Sequence, residues 1–305
     1  MIMDKKEIGY VGLGKMGKNM VTRLVEKGWG VVATDVSTEA VKEISVIGAR
    51  GVVNVQELVG ALSSPRLLWV MVPHQVVDTV LQELVSSLSP GDVVIDGGNS
   101  NYKDTMRRAE ELGAKGVEYL DAGTSGGPGG ARNGACVMVG GKRELFNRYE
   151  ELFRDMAAPD AYGYMGKSGS GHFVKMVHNG IEYGMMQAIA EGFSLMKSSD
   201  LEPDLKEVAR IYDHQSVIES RLIQWLGEAY ERYGVGLNEI SGKVSHSGEG
   251  LWTVEAAREI GVPVAVIEES LKFREDSQSN PSYTGQVVSA LRNMFGGHEV
   301  KKEKE

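Results

Sequence analysis

An α/β unit built on a mainly parallel sheet, followed by an all-α unit, is the fold class this sequence predicts. Three observations carry it. Continuous apolar runs of strand length recur through the first half with helical spacing between them; a glycine-rich turn joins the first run to a helix; and beyond Gly166 the strand signals fade into helical periods.

The first element is Ile8-Gly9-Tyr10-Val11, a short β-type run. Gly12-Leu13-Gly14-Lys15-Met16-Gly17 follows at once, and Asn19 to Glu26 reads as an amphipathic helix. Strand, tight turn and helix in this order are the setting a dinucleotide fingerprint requires, which makes the first unit Rossmann-type. Gly12 suits the turn, Gly14 lets the backbone approach a pyrophosphate, Gly17 allows close packing of helix on strand, and the helix N-terminus faces the phosphates. Leu13, Lys15 and Met16 complete the expected cofactor loop. The second strand, Gly30 to Thr34, ends in Asp35. A carboxylate there accepts hydrogen bonds from ribose hydroxyls and repels a 2′-phosphate, and Val36, Ser37 and Thr38 supply no arginine to balance one. NAD is expected over NADP, although a turn or capping role ahead of Ser37 also suits an aspartate.

Leu67 to Val72, Asp92 to Asp96, Tyr119 to Ala122 and Ala135 to Val139 continue the sheet, their unbroken apolar character marking strands covered on both faces. Ligands of such sheets bind beyond the carboxyl ends of the strands. Met71, Val72 and Pro73 are assigned to the cofactor on that ground. Asp96-Gly97-Gly98-Asn99-Ser100 ends a strand in flexible backbone, an amide and a hydroxyl on the cofactor side, and Asn99 is assigned to the cofactor. Gly123 to Arg132, which contains Ser125-Gly126-Gly127, reads as a loop rich in backbone N–H groups, suited to receive carboxylate or hydroxyl oxygens.

The stretch from His172 to Tyr183 is the most informative. Lys175, His178, Asn179 and Glu182 stand at i, i+3, i+4 and i+7 and share one helix face. Met176, Val177, Ile181, Met185, Met186 and Ile189 make most of the remaining circumference apolar, the pattern of a helix buried on nearly all sides. A solvated charge ladder would show a broad face of long charged side chains, whereas this stripe is narrow and includes an amide, an imidazole and a glycine. A buried lysine and glutamate need partners and tend to have shifted pKa values, so the stripe is expected to catalyse or to bind.

GLGKMG, DGGNS, SGG, GHFVKMVHNGIEYG, GLW, the FR that follows it and RNMFGGH closely resemble decarboxylating 6-phosphogluconate dehydrogenase of the β-hydroxyacid dehydrogenase superfamily, along essentially the whole chain. HNGIEY is particular to that enzyme; GxGxxG and the SGG loop are shared more widely. The length matches the short form of the family, without a duplicated helical half. The resemblance implies oxidative decarboxylation of 6-phosphogluconate to ribulose 5-phosphate and CO2 with reduction of NAD. It implies Lys175 as general base on the substrate 3-hydroxyl and Glu182 as the acid that protonates C1 of the enediol. It further implies substrate contacts from Asn99, Ser125, Gly126, Gly127, His178, Asn179 and Tyr183. Burial would depress the pKa of Lys175 and raise that of Glu182, as these two roles require. For the phosphate, Arg274 keeps the family spacing from Trp252, while Ser247 stands where the family has a lysine. Arg292 and His298 match a tail that reaches into the partner subunit's site, which implies a homodimer or homotetramer. Ser247 keeps a second reading open, a dehydrogenase of an unphosphorylated β-hydroxyacid or sugar acid. A catalytically silent NAD-binding sensor is opposed by the presence of both Lys175 and Glu182.

Composition agrees. At 305 residues two domains are expected, with the junction between Gly163 and Gly169: a dinucleotide-binding domain over 1–166 and a helical substrate and oligomerisation domain over 167–305. Helical periods run over 170–198, 203–214, 218–233, 253–260, 263–276 and 284–295. A formal charge of −9 argues against a nucleic-acid partner, so an anionic substrate must be captured by local cations. The single cysteine, Cys136, excludes an intrachain disulfide, and the six histidines show no metal-ligand spacing, so no metal is expected. No apolar run approaches a membrane span and no signal peptide is recognisable, which leads us to expect a cytoplasmic protein with no membrane partner.

Overall fold

The computed structural model describes residues 6–246 and 248–300. By its internal contacts the chain forms one unit up to Lys175 and a second from Met176. The first unit contains β1 (Glu7–Val11), α1 (Lys15–Glu26), β2 (Gly30–Thr34), α2 (Thr38–Val46), β3 (Arg50–Gly51), α3 (Val55–Gly60), β4 (Leu67–Val70) and α4 (Val77–Val85). It continues through β5 (Val93–Asp96), α5 (Tyr102–Gly113), β6 (Glu118–Ser125), α6 (Gly127–Asn133), β7 (Ala135–Gly140), α7 (Arg143–Arg148), α8 (Glu150–Met156) and β8 (Ala157–Gly166).

These strands form one eight-stranded sheet in the order β3-β2-β1-β4-β5-β6-β7-β8, parallel except between β6 and β7. Apolar alternation explains the double cover. Ile8 and Tyr10 of β1, with Trp69 and Ile95, pack into one layer, while Val11, Leu68, Val70 and Val94 pack into the other. The strand order reverses between β1 and β4, which pair through Gly9–Leu68, Tyr10–Trp69 and Val11–Val70. That reversal opens a crevice at the carboxyl ends of the strands.

Three features depart from expectation. β3 spans two residues, too few for a hydrophobic period, and β8 is an edge strand carrying Pro159, Asp160 and Gly163, which erase the apolar pattern. The stretch from Gly123 to Arg132 is not a loop: β6 runs through Ser125, Gly126 turns at φ 119°, and α6 begins at Gly127 with a proline in its first turn. Proline there supplies the φ that a first helical turn needs and lacks only an N–H that would be unpaired anyway.

Helix α9 (Ser170–Lys197) begins in the first unit and continues into the second, which adds α10 (Leu205–Tyr212), α11 (Arg221–Tyr233), α12 (Glu249–Ile260), α13 (Ala265–Asp276) and α14 (Tyr283–Gly296). Its core gathers Met186, Ala190, Phe193, Leu226, Tyr230, Val287 and Leu291. Gly180 lets α12 approach α9 closely, since a Cβ there would lie 2.7 Å from Thr253 Cγ2, and the Thr253 hydroxyl donates toward the carbonyls of Met176 (2.9 Å) and Glu249 (2.8 Å). Helix α9 is not buried on nearly all sides as expected: Ile181 is 53% exposed, Met185 43% and Leu195 73%, so an apolar edge of the helix faces outward in the single chain. No helix among the described residues is long and apolar enough to cross a membrane.

Candidate active site

The glycines of the first turn divide their work as geometry demands. Gly12 adopts φ 102°, and a Cβ on it would overlap the Met71 carbonyl; one on Gly17 would overlap the Gly12 carbonyl. Only glycine brings α1 this close to β1. A Cβ on Gly14 would meet nothing within 4 Å, so the open side of the turn lies there. A cleft of about 300 Å³ follows, walled by the fingerprint from Gly14 through Lys15 and Met16 to Gly17, by Met71 and Val72 after β4, by Gly97-Gly98-Asn99 after β5, and by Thr124. Two residues expected on it serve otherwise. Leu13 turns its side chain into the core at 4% exposure, and Pro73 lies outside the cleft lining, leading into a 3₁₀ turn at His74–Val76.

Asp35 closes β2 and latches the turn: its Oδ2 accepts from the Leu13 N–H at 2.6 Å and its Oδ1 from the Ser37 N–H at 2.7 Å. The capping of α2 belongs to Ser37, whose hydroxyl oxygen accepts from the Ala40 N–H. Val36 beside it is fully exposed. The loop after β5 is shaped by the buried Asp96. Its Oδ1 accepts from the Gly98 N–H (3.0 Å), and its Oδ2 from the Ser100 hydroxyl (2.7 Å) and the Tyr119 phenol (3.0 Å). Burial, then the Asp96 charge, pushes the Tyr119 phenol well above its ordinary range, which keeps it a donor. Gly97 lies against the Trp69 indole with no room for a Cβ, and Asn99 stands exposed at the apex.

Lys175 is buried at 9% exposure. Its place depends on small neighbours: a Cβ on Gly123 would overlap Lys175 Cβ and lie 2.7 Å from the Gly171 carbonyl oxygen. Asp121, fully buried in β6, accepts from the N–H groups of Gly169 (2.8 Å) and His172 (2.9 Å) and so caps the start of α9. His172, also buried, pairs its Nδ1 with the Thr105 hydroxyl at 2.7 Å. Sequence reasoning missed Asp121, Gly123 and His172 as parts of the site. The available signal was an acid set within the apolar run of β6, with a glycine two positions further on.

The second unit carries the remaining candidates. On α9, His178 Nδ1 donates to Asn179 Oδ1 at 3.1 Å and lies 3.8 Å from Glu182 Oε2. Tyr183 is buried, and Gly250 makes room for its ring, which a Cβ there would strike. Arg274 of α13, 1% exposed, lays its guanidinium on the Tyr183 ring with Cζ 3.4 Å from the centroid. Arg292 of α14 is buried too. Arg274 Nη1 donates to the Ser245 carbonyl (3.4 Å) and Arg292 Nη1 to the Ser245 hydroxyl (2.8 Å), while Arg274 Nη2 is buried without a hydrogen-bond partner among the described residues. Burial lowers the pKa of Arg274 to about 10, with repulsion from Arg292 in the same direction; Tyr183, Glu182 and Glu249 oppose it. Burial lowers that of Arg292 as well.

Within the single chain, the segment that carries Arg292 and His298 makes contacts of its own. Arg292 shares Ser245 with Arg274, the His298 ring stands edge-on to Phe295, and its carbonyl accepts from Asn293 Nδ2. The Ser241 N–H then holds the Val300 carbonyl, and the Val300 side chain is buried in the helical core. Ser247 lies outside the described residues. Ser245 and Glu249 were not foreseen, since nothing in a polar connecting stretch distinguishes them.

A mainly parallel sheet with its cleft at the strand-order reversal and a glycine-rich turn opening the first helix is the architecture of a dinucleotide-binding domain. Residues 7–176 match the model of the NAD binding domain of 6-phosphogluconate dehydrogenase, and residues 171–283 that of the 6-phosphogluconate dehydrogenase C-terminal domain. The chain belongs to the 6-phosphogluconate dehydrogenase family. A Bacillus subtilis protein provisionally named 6-phosphogluconate dehydrogenase YqeC is 48% identical over 97% of this chain and 100% of its own length. The NAD(+)-dependent, decarboxylating 6-phosphogluconate dehydrogenase of Haloferax volcanii is 41% identical over 97% of this chain and 99% of its own length. Among solved structures, 6-phosphogluconate dehydrogenase of Plasmodium falciparum, described with NADP+ and with 6-phosphogluconate, superposes with a TM-score of 0.83 at 29% identity, covering 90% of this chain and 62% of that one.

Proposed function

We propose that this protein oxidatively decarboxylates 6-phosphogluconate to ribulose 5-phosphate and CO2, with NAD as hydride acceptor. The observation that carries the reading is the pair of buried guanidiniums, Arg274 and Arg292, gathered on Ser245, with Arg274 Nη2 left without a partner among the described residues. Two desolvated cations with donors to spare suit a phosphate dianion, which planar guanidinium donors bind bidentately. The names of the full-length relatives from Bacillus subtilis and Haloferax volcanii support the same substrate.

Lys175 takes the proton of the substrate 3-hydroxyl as C3 is oxidised; NAD, when bound, supplies the acceptor for the hydride. The resulting carbonyl lies β to the carboxylate, so the electrons of the C1–C2 bond flow into it as CO2 departs. The Lys175 ammonium now stabilises the developing enolate oxygen. Glu182 then protonates the carbon that lost CO2, and His178, Asn179, Tyr183, Asn99 and the Ser125-Gly126-Gly127 turn orient the chain of hydroxyls. Asp35 and the exposed Val36 favour NAD, because neither can balance a 2′-phosphate. The exposed edge of α9 at Ile181, Met185 and Leu195 supports a homodimer or larger homo-oligomer, which sedimentation would reveal.

The test is absorbance at the NADH wavelength with 6-phosphogluconate and NAD, run beside NADP and beside unphosphorylated gluconate. Fast reduction that needs the phosphate and releases CO2 is expected. Equal activity with gluconate would move the enzyme to an unphosphorylated sugar acid, and absence of turnover with either acid would overturn the reading.

A further inference from the structure

Two walls of the dinucleotide cleft are loops that leave neighbouring strands, β4 and β5, and one buried side chain ties them together. Arg108 of α5 is 2% exposed. Its Nε donates to Asp78 Oδ1 at 2.7 Å and its Nη2 to Asp78 Oδ2 at 3.2 Å, a fork closing on both oxygens of the carboxylate. Its remaining arm, Nη1, donates to the Ser100 hydroxyl at 3.2 Å and lies 3.6 Å from Asp96 Oδ2. Asp78 sits in the first turn of α4, one short 3₁₀ turn beyond Met71 and Val72. Asp96 and Ser100 bracket Gly97-Gly98-Asn99. Met71 and Val72 form one wall of the cleft, and Gly97-Gly98-Asn99 the other.

We infer that Arg108 is a positioning residue for the cofactor cleft, setting the separation of its two walls by tying Asp78 to the Asp96–Ser100 turn. The inference rests on the reading of the cleft as a dinucleotide site. Three features single out Arg108 and its forked geometry. The guanidinium meets two oxygens of one partner and one of another at fixed angles, which a lysine ammonium cannot do at once. Asp96 is fully buried and already accepts three hydrogen bonds, so Arg108 also balances a charge that has no access to water. Arg107, next in sequence, pairs with the same Asp78 but also with Asp104 and Glu111, and its side chain is 43% exposed, so it adds only a screened surface contact.

The experiment compares the full-length wild type with Arg108→Lys, Asp78→Asn and Arg107→Gln, reading NADH affinity by fluorescence, steady-state constants and Tm. Arg108→Lys should raise the NADH Kd and the KM for NAD about tenfold while kcat at saturating NAD changes less than about threefold; Asp78→Asn should move both in the same direction by about three- to fivefold, and Arg107→Gln by less than about twofold. Should Arg108→Lys fail to fold, the half-exposed Asp78 carries the test. A lowered Tm with unchanged Kd and KM in both clamp variants would reduce Arg108 to a structural ion pair and overturn the inference. Failure of the wild type to bind NADH would overturn the dinucleotide reading itself, a result separable from the first because it appears without any substitution.

Discussion

Replacing Arg274 by methionine should stabilise the free protein and destroy its affinity for the phosphorylated substrate. Burial lowers the pKa of this arginine by between two and three units, to about 10. At roughly 1.4 kcal/mol per pKa unit, folding with the guanidinium charged costs about 3 kcal/mol. The sign follows from the direction: a cation whose folded pKa lies below its unfolded value bears this cost fully below pH 10 and loses it as pH rises from there toward the ordinary arginine range, so at neutral pH all of it is present. Methionine removes the charge and fills much of the volume, but loses the stacking on Tyr183, worth roughly 1–2 kcal/mol when desolvated. The net expectation is a gain of about 1–2 kcal/mol, or about 4 °C in Tm for a domain of this size. Thermal unfolding at neutral pH, with and without 6-phosphogluconate, checks both halves. Ligand at about a hundred times Kd should add about 2.7 kcal/mol of stability to the wild type and none to the variant. A variant that melts several degrees lower without ligand would refute the electrostatic argument, and a variant that keeps the ligand-induced rise would remove Arg274 from the phosphate site.

Four further outcomes are expected. Gly123→Ala, whose methyl would overlap Lys175 Cβ, should lower kcat by about a hundredfold or more while NADH affinity stays within about threefold; an unchanged kcat would show that the placement of Lys175 tolerates the shift. Lys175→Met should reduce turnover by several powers of ten with substrate affinity retained, and near wild-type turnover would exclude it as the base. Asp35→Asn combined with Val36→Arg should move the ratio of kcat/KM for NAD over NADP by about tenfold or more toward NADP; a constant ratio would leave Asp35 as a latch for the turn alone. The hydrogen bond from Arg108, opposed by partial burial and helped by Arg107, holds the Asp78 carboxyl below its ordinary 3.8. Its contribution to stability is therefore present above that value and is lost as pH falls through the lower folded pKa, so Asp78→Asn should flatten the decline of the urea midpoint at acid pH, and an identical decline would disprove the linkage.

The Rossmann-type unit was legible because its determinants are local. A glycine at φ 102° and, five residues on, one that cannot carry a Cβ are requirements written into a single short stretch, and strands buried on both faces leave unbroken apolar runs. β8 and α6 escaped because their determinants are not local. An edge strand with Pro159 and Gly163 is held by pairing with β7, and Gly127-Pro128-Gly129-Gly130 becomes helical only where β6 ends. The polar stripe of α9 was readable by its period, but the seat of Lys175 was not. It depends on Gly123 and on Asp121, residues separated from it by some fifty positions and brought near only by the β6 ladder and the cap it makes.

The cation pair of the helical unit shows why the net charge of the chain is a poor guide to its ligand. A molecule of charge −9 offers no long-range attraction to a phosphorylated sugar acid, so selectivity has to act at contact. On the proposed reading Arg274 and Arg292 would meet that need by being withdrawn from water: burial, which with a smaller contribution from Arg292 lowers the pKa of Arg274, leaves little solvent to compete for their donors, and a bound anion would relieve the cost of holding both charges there. A surface lysine would attract from farther away but discriminate less, because its hydration is cheap to keep. Affinity resting on buried cations should accordingly fall less steeply with salt than a surface-steered site would. Measuring the 6-phosphogluconate Kd between 50 mM and 500 mM salt therefore distinguishes the two: a change under about threefold is expected here, and a fall of tenfold or more would place the recognition on exposed charge instead.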